Sequence, residues 1–358
     1  MIDPELRNKV TSAAVAAARR SQQVDLPELW KKLTAVDLEG ILDALETIEY
    51  PYGAIPVLGS PGASYPTKAD SLPVVGIDGS QVYPDREQPV LWGYIQALAY
   101  RQQSPPGFVS DFVDIGSTRK SDGSDENAFD RRAGADSVNF WRTLLEMRLA
   151  ADVTGANTDQ VILMDYPLLP WIGADLRDPG RQIREYLDLM EKLKGSLLAG
   201  IVSAPGSRLL ISLIALSEKI QGREAVLMDV SDGVLMAYGL PAGNRSAVFK
   251  YAGPRNEICK RQGVEIYFFF IRIKDRDVLR VEIPDWLVSD PAAIDRLHAS
   301  ILADSLALGY PYALAAAHQN VVIPYDVGEA LRQLALETYI REGGFYFVSA
   351  KKRAKGIK

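Results

Sequence analysis

The chain predicts an α/β fold, a mixed β-sheet flanked by helices and preceded by an N-terminal helical region. Three observations carry that prediction. Short apolar runs at residues 73–77 and 161–164 each end in a carboxylate, Asp78 and Asp165, and such runs read as buried strands. Helical stripes alternate with them, clearest in Val138, Trp141, Leu145 and Leu149. The 358 residues, 47% hydrophobic and 24% charged, are enough for a large core without covalent staples.

Residues 5–50 read as helical. Leu6, Val10, Ala14 and Ala17 form a weak apolar face there, and Leu29, Leu33, Leu38, Ile41, Leu42 and Leu45 a stronger one. Residues 50–72 are rich in Pro, Gly, Ser and Tyr and read as a connector. The main body is expected to begin near Leu72. Two strands follow around a turn at Asp78-Gly79-Ser80, the second holding Trp92, Tyr94, Ile95, Ala97, Leu98 and Tyr100. Residues 115–136 are polar and read as a loop. A helix is expected from about Ser137 to Val153, stopped by Gly155, Asn157 and Asp159.

After the strand at 161–164, Asp178-Pro179 caps a helix reaching about Leu198. Residues 200–203 read as a strand and 208–216 as a short helix. Residues 264–272 and 278–283 form a hairpin around Lys274-Asp275-Arg276-Asp277. Helices are expected at 291–308 and 312–320. The resulting organisation is an N-terminal helical region and connector over 1–71, a main domain over 72–335, and a C-terminal strand and basic tail over 336–358.

Composition excludes several classes. The single Cys259 rules out an intramolecular disulfide and a cysteine-based zinc site, in keeping with a reducing compartment. No charge-free apolar run reaches the roughly 18 residues that span a bilayer. Asp3, Glu5, Arg7 and Lys9 break up the first residues, so no secretory signal is read and a cytoplasmic protein is expected. A net charge of −6 gives no whole-surface attraction to nucleic acid, although a local basic channel would suffice for binding. Lys351, Lys352, Arg353, Lys355 and Lys358 read as a solvated tail. Walker A, Gly-x-Gly-x-x-Gly and Gly-x-Ser-x-Gly motifs do not occur, which leaves nucleotide hydrolysis, dinucleotide binding and a serine-hydrolase elbow without support.

The chemistry-bearing residues form a short set. Asp78 and Asp165 are strand-end carboxylates, the type that hard divalent cations take. Two-metal phosphodiester hydrolysis needs such groups from separate elements around ions about 4 Å apart. The competing reading of Asp78-Gly79 is an ordinary turn. Glu146 lies one helical turn after Arg142, at the edge of the apolar stripe. It either reaches inward or forms an exposed pair with Arg142. His318 ends a run of small residues, Ala315-Ala316-Ala317, that lets backbones pack closely. It can ligate metal, position water or a phosphate, or sit as a packed core histidine. His298, in Asp295-Arg296-Leu297-His298, reads as a surface residue, Asp229 and Asp232 as turn residues, and Glu282 as strand surface.

Taken in order, these motifs resemble the NurA nuclease family. Residues 75–86, from Val75-Gly76-Ile77-Asp78-Gly79-Ser80 to Pro84-Asp85-Arg86, are similar to its first motif. Residues 142–150 resemble its glutamate helix and 163–168 its second aspartate strand. The stretches 199–207, 244–249 and 280–286 also resemble it, and Gly309-Tyr310-Pro311-Tyr312, running on to His318, is the most specific match. Coverage is roughly 72–330. The resemblance implies a ribonuclease H-like core, a ring-shaped homodimer and a Mn²⁺-dependent DNA nuclease, with Mg²⁺ as the alternative ion. It implies 5′-to-3′ exonuclease and single-strand endonuclease activity. It also implies partnership with the hexameric HerA ATPase in end resection during double-strand break repair. Carried over by position, the metal ligands are Asp78, Glu146, Asp165 and His318, and Tyr310 joins the site because the family places its tyrosine eight residues before the histidine. One departure stands out: where the family follows its second aspartate with Gly-Ser-Leu, this chain has Tyr166-Pro167-Leu168. A non-catalytic DNA clamp or adaptor for a translocating ATPase is the rival reading, and RNA cleavage a third.

Overall fold

The computed structural model describes residues 3–22, 24–45, 53–85, 88–102, 104–114, 133–154, 159–170, 179–221 and 230–346. Its first elements are α1 (Pro4–Gln22), α2 (Leu26–Thr34), α3 (Leu38–Leu45), β1 (Gly53–Leu58), β2 (Tyr65–Pro66), β3 (Val74–Val82), β4 (Trp92–Arg101) and β5 (Gly107–Asp114). Next come α4 (Ala133–Thr154), β6 (Val161–Met164), α5 (Pro179–Glu191), β7 (Leu197–Ser203), α6 (Leu209–Ile220), α7 (Asp232–Gly239), β8 (Asn244–Arg245) and β9 (Val248–Ala252). The remainder are α8 (Pro254–Arg261), β10 (Ile266–Arg272), β11 (Val278–Pro284), α9 (Asp285–Val288), α10 (Pro291–Ser305), α11 (Tyr312–Val321) and α12 (Tyr325–Arg341). The chain divides into two compact units, Met1–Leu72 with Tyr166–Leu169 and Ala199–Pro311, and Pro73–Asp165 with Pro170–Leu198 and Tyr312–Lys358.

The first unit is built on antiparallel pairing in the order β1, β9, β10, β11, β7. The unbroken apolar run of β10 explains its central place, since Phe268, Phe269 and Phe270 are all buried. Leu29, Leu33 and Ile41 of α2 and α3 share one core with Leu210, Ile214, Phe249 and Phe268. α2 starts where the Asp25 side chain accepts the Glu28 N–H at 3.0 Å. Of the helical stripe expected around Leu29, Leu29, Leu33 and Ile41 are buried, whereas Leu42 is exposed, as are Leu6 and Val10 of α1. The expected connector holds β1 and β2, which pair with β9 and β8. Pro and Gly punctuate these short edge strands rather than a loop.

Three other expectations are corrected in this unit. His298 is fully buried, not on the surface, and its Nε2 meets the Gly243 carbonyl at 3.1 Å. Burial, with the Arg245 charge adding to it, pushes the imidazole down to about 4. Glu282 is buried rather than on the strand surface, and it accepts from the Leu169 N–H and the Arg280 guanidinium. Asp232 is a buried cap, not a turn residue, and accepts from Ser207, Leu209 and Leu210 at the start of α6. The sequence hides their burial because each meets a partner distant in the chain, Gly243, Leu169 or Ser207. Asp229 lies outside the described residues.

The second unit has a mixed sheet in the order β6, β3, β4, β5. β3 runs parallel to β6 and antiparallel to β4, and β4 is antiparallel to β5. The expected turn at Gly79-Ser80 is absent. β3 continues through it for nine residues, with Asp78 opposite Leu98 and Ser80 opposite Gln96. Cross-strand hydrogen bonds override the local turn preference of Asp-Gly.

α4 and α11 cover opposite faces of this sheet. A Cβ on Gly79 or Gly93 would run into α4, at Glu146 and Val138, whereas one on Gly76 would run into the Ala313 backbone of α11. Positions 76 and 79 differ in parity, so they face opposite sides. Val138, Leu144, Leu145, Met147 and Ala150 are buried along α4. Burial on several sides explains why Glu146 is buried too. α12 runs through the boundary expected at residue 335, so 336–341 are helical rather than a strand. The basic tail at 351–358 lies outside the described residues, as does most of the loop expected at 115–136.

Candidate metal centre

Parallel pairing brings the two aspartates together. Ile77 lies beside Met164, and the Asp165 N–H donates to the Ile77 carbonyl at 3.2 Å. The residues that follow these two, Asp78 and Asp165, therefore emerge at adjacent points of neighbouring strands. Asp78 is 6% exposed. Its Oδ1 accepts from the Gly79 N–H at 2.8 Å, and its Oδ2 meets His318 Nδ1 at 2.7 Å.

His318 arrives from α11. Gly76 has no side chain, so the small-residue face of that helix rests directly on β3. Five residues beyond Ala313, the imidazole stands at 65% exposure above a buried carboxylate. Asp78, Asp165 and His318 each offer one ligand atom, all within 4.8 Å of one another. Two oxygens and one imidazole nitrogen can hold a divalent cation.

Glu146 approaches from the opposite face. It is 0% exposed, and neither carboxylate oxygen has a hydrogen-bond partner. Arg142 Nε lies 3.4 Å from Oε1. Burial is the main force pushing the Glu146 carboxyl up to about 8; Arg142 opposes it, and the Asp78 and Asp165 charges add to it. A buried carboxyl without a hydrogen bond among the described residues, facing one guanidinium and two more carboxylates, is a poor structural device. It fits a position completed by a cation, so this donor set suits a divalent metal. Glu146 stands outside the group within 4.8 Å, and its carboxylate lies against Gly79, the residue after Asp78.

Residues 72–323 match the family model of the NurA domain. The chain belongs to the NurA family. The crystal structure of the NurA nuclease from Sulfolobus solfataricus has a similar fold, with a TM-score of 0.50 and 13% identity over 97% of this chain and 100% of that one. The catalytic domain of human endonuclease V aligns at a TM-score of 0.33 and 13% identity over 86% of this chain and 97% of that one, a likeness too distant to argue from. No curated protein matches the chain.

Within this NurA-family chain, Asp78, Glu146, Asp165 and His318 all belong to the second unit, and Tyr310 to the first. The departing segment Tyr166–Leu169 also belongs to the first unit, where Gly200 lets the Tyr166 carbonyl pass close to β7 and Glu282 holds the Leu169 N–H. Two contributors escaped the sequence reading. Gly79 was read as a turn residue, although a glycine inside a strand pattern also signals close approach by another group. Gln81, which accepts from Arg142 Nη1 at 3.1 Å, carried no signal beyond lying on the same strand face as Gly79.

Proposed function

We propose that the chain is a metal-dependent DNA nuclease. The observation that carries this reading is the convergence of Asp78, Asp165 and His318 within 4.8 Å beside a buried Glu146 without hydrogen-bond partners. A divalent cation held there supplies Lewis acidity to a phosphodiester. Asp78 and Asp165 offer the oxygen donors, and Glu146 completes the negative charge from behind Gly79. His318 meets Asp78 through Nδ1 and, as the third member of the group, would bind an ion or the scissile phosphate. Membership of the NurA family over residues 72–323 supports the same class of reaction.

The finer reading rests on the family resemblance. It comprises a ribonuclease H-like core, Mn²⁺ as the preferred ion with Mg²⁺ as substitute, and Tyr310 orienting a phosphate or the attacking water. It extends to 5′-to-3′ exonuclease and single-strand endonuclease activity, a homodimer, and end resection in double-strand break repair beside a HerA-type hexameric ATPase in the cytoplasm. End-labelled single- and double-stranded DNA, incubated with Mn²⁺, Mg²⁺ or EDTA, tests it. Metal-dependent cleavage that disappears in Asp78→Ala supports the nuclease; DNA binding without cleavage under every condition overturns it in favour of a clamp.

A further inference from the structure

The Arg142 guanidinium joins both sides of the candidate centre. Its Nη1 donates to the Gly79 carbonyl at 3.3 Å, on the residue after Asp78, and to Gln81 Oε1 at 3.1 Å. Its Nε faces Glu146 Oε1 at 3.4 Å, one helical turn along α4. Gln81 is itself fixed: its Nε2 donates to the Tyr83 hydroxyl at 3.0 Å, which donates to Asn139 at 2.7 Å. A continuous polar chain thus runs from Asn139 through Tyr83, Gln81 and Arg142 to Glu146. Its last member, Glu146, feels the charges of Asp78 and Asp165.

We infer that Arg142 is a positioning residue for metal binding: it clamps β3 after Asp78 to α4 before Glu146, so that donors from the two sides of the sheet meet one ion. Glu146 has no other partner to fix its carboxylate, since both its oxygens lack hydrogen bonds. The clamp needs the planar, multi-donor geometry of arginine. One guanidinium hydrogen-bonds a backbone carbonyl and an amide oxygen through Nη1 and holds its Nε 3.4 Å from a carboxylate, and an ammonium cannot reproduce that planar arrangement. Groups that orient metal ligands in this way typically carry about 10–100-fold in metal affinity.

The inference rests on the metal-site reading above, and its test separates the two. Mn²⁺ is titrated calorimetrically into wild type, Arg142→Gln, Arg142→Lys and Gln81→Leu, and kcat and KM for labelled DNA are measured on the same proteins. The expected result is a Mn²⁺ affinity about 10–100-fold weaker in Arg142→Gln. Arg142→Lys should regain part of the loss, Gln81→Leu should show a smaller weakening, and KM for DNA should hold while kcat falls. Wild-type Mn²⁺ affinity in Arg142→Gln overturns the inference. So does a loss confined to KM, which would make Arg142 a DNA contact. If Arg142→Gln fails to fold, Gln81→Leu decides by the same criterion, because it removes one of the two anchors of the guanidinium on β3 while leaving the charge beside Glu146. Failure of wild type to bind Mn²⁺ overturns the metal-site reading itself, whereas binding without cleavage overturns only the nuclease reading.

Discussion

The Glu146 carboxylate occupies the space that a Cβ on Gly79 would need. A residue without a side chain, in the middle of a sheet strand, gives a helix carboxyl on one face access to aspartates presented at the other. The candidate centre depends on that gap as much as on its charged groups.

Gly79→Ala is therefore expected to displace Glu146. Overpacking of this kind costs about 1–3 kcal/mol, and Mn²⁺ affinity should fall with it. Thermal unfolding and calorimetric titration check both effects. An alanine variant with wild-type affinity would show that Glu146 takes no part in the centre.

Glu146→Gln should abolish cleavage yet stabilise the metal-free protein at alkaline pH. The folded carboxyl is pushed up to about 8 from an ordinary 4.5. The native state therefore holds the proton more tightly, and wild type loses stability as pH rises from 4.5 towards 8. The neutral amide removes that loss. In EDTA above pH 8 the variant should exceed wild type by roughly 1–3 kcal/mol, and the two should converge in acid. Denaturant titrations at several pH values measure the difference.

Metal binding should release protons. At pH 7 the Glu146 carboxyl is mostly protonated, and a cation in contact with it must displace that proton. Apparent Mn²⁺ affinity should rise about tenfold per pH unit below pH 8 and level off above it. Calorimetry in buffers of different ionisation enthalpy counts the protons directly; no release at pH 7 would remove Glu146 from the ligand set.

Gly76→Val should lift α11 from β3 and carry His318 away from Asp78. Its side chain would meet the Ala313 backbone rather than a flexible group, so the helix itself must move. Loss of Mn²⁺ affinity with the sheet retained by circular dichroism is the expected outcome.

Elements with strong apolar periodicity were legible in the sequence. The stripe of α4, the run of β6, the hairpin of β10 and β11, and the helices α10 and α11 all lie close to where pattern places them. The aspartates were legible too, because each follows an apolar run. What stayed hidden depended on partners distant in sequence. β3 passes straight through Asp78-Gly79 because β4 pairs with it there, which local turn preference cannot report. Glu146 looked like half of a surface pair with Arg142, and only the packing around α4 makes it fully buried. His298 and Glu282 were misplaced for the same reason, since Gly243 and Leu169 satisfy them from afar. The Arg142 clamp needed both the strand continuation and the helix burial before it could be seen.

The central claim is that Asp78 is a ligand of a metal site shared with Asp165 and His318. Calorimetric titration of Mn²⁺ into wild type and into folded Asp78→Ala tests it most directly. The account predicts saturable binding to wild type and none at this site in the variant. Wild-type binding by Asp78→Ala would contradict it.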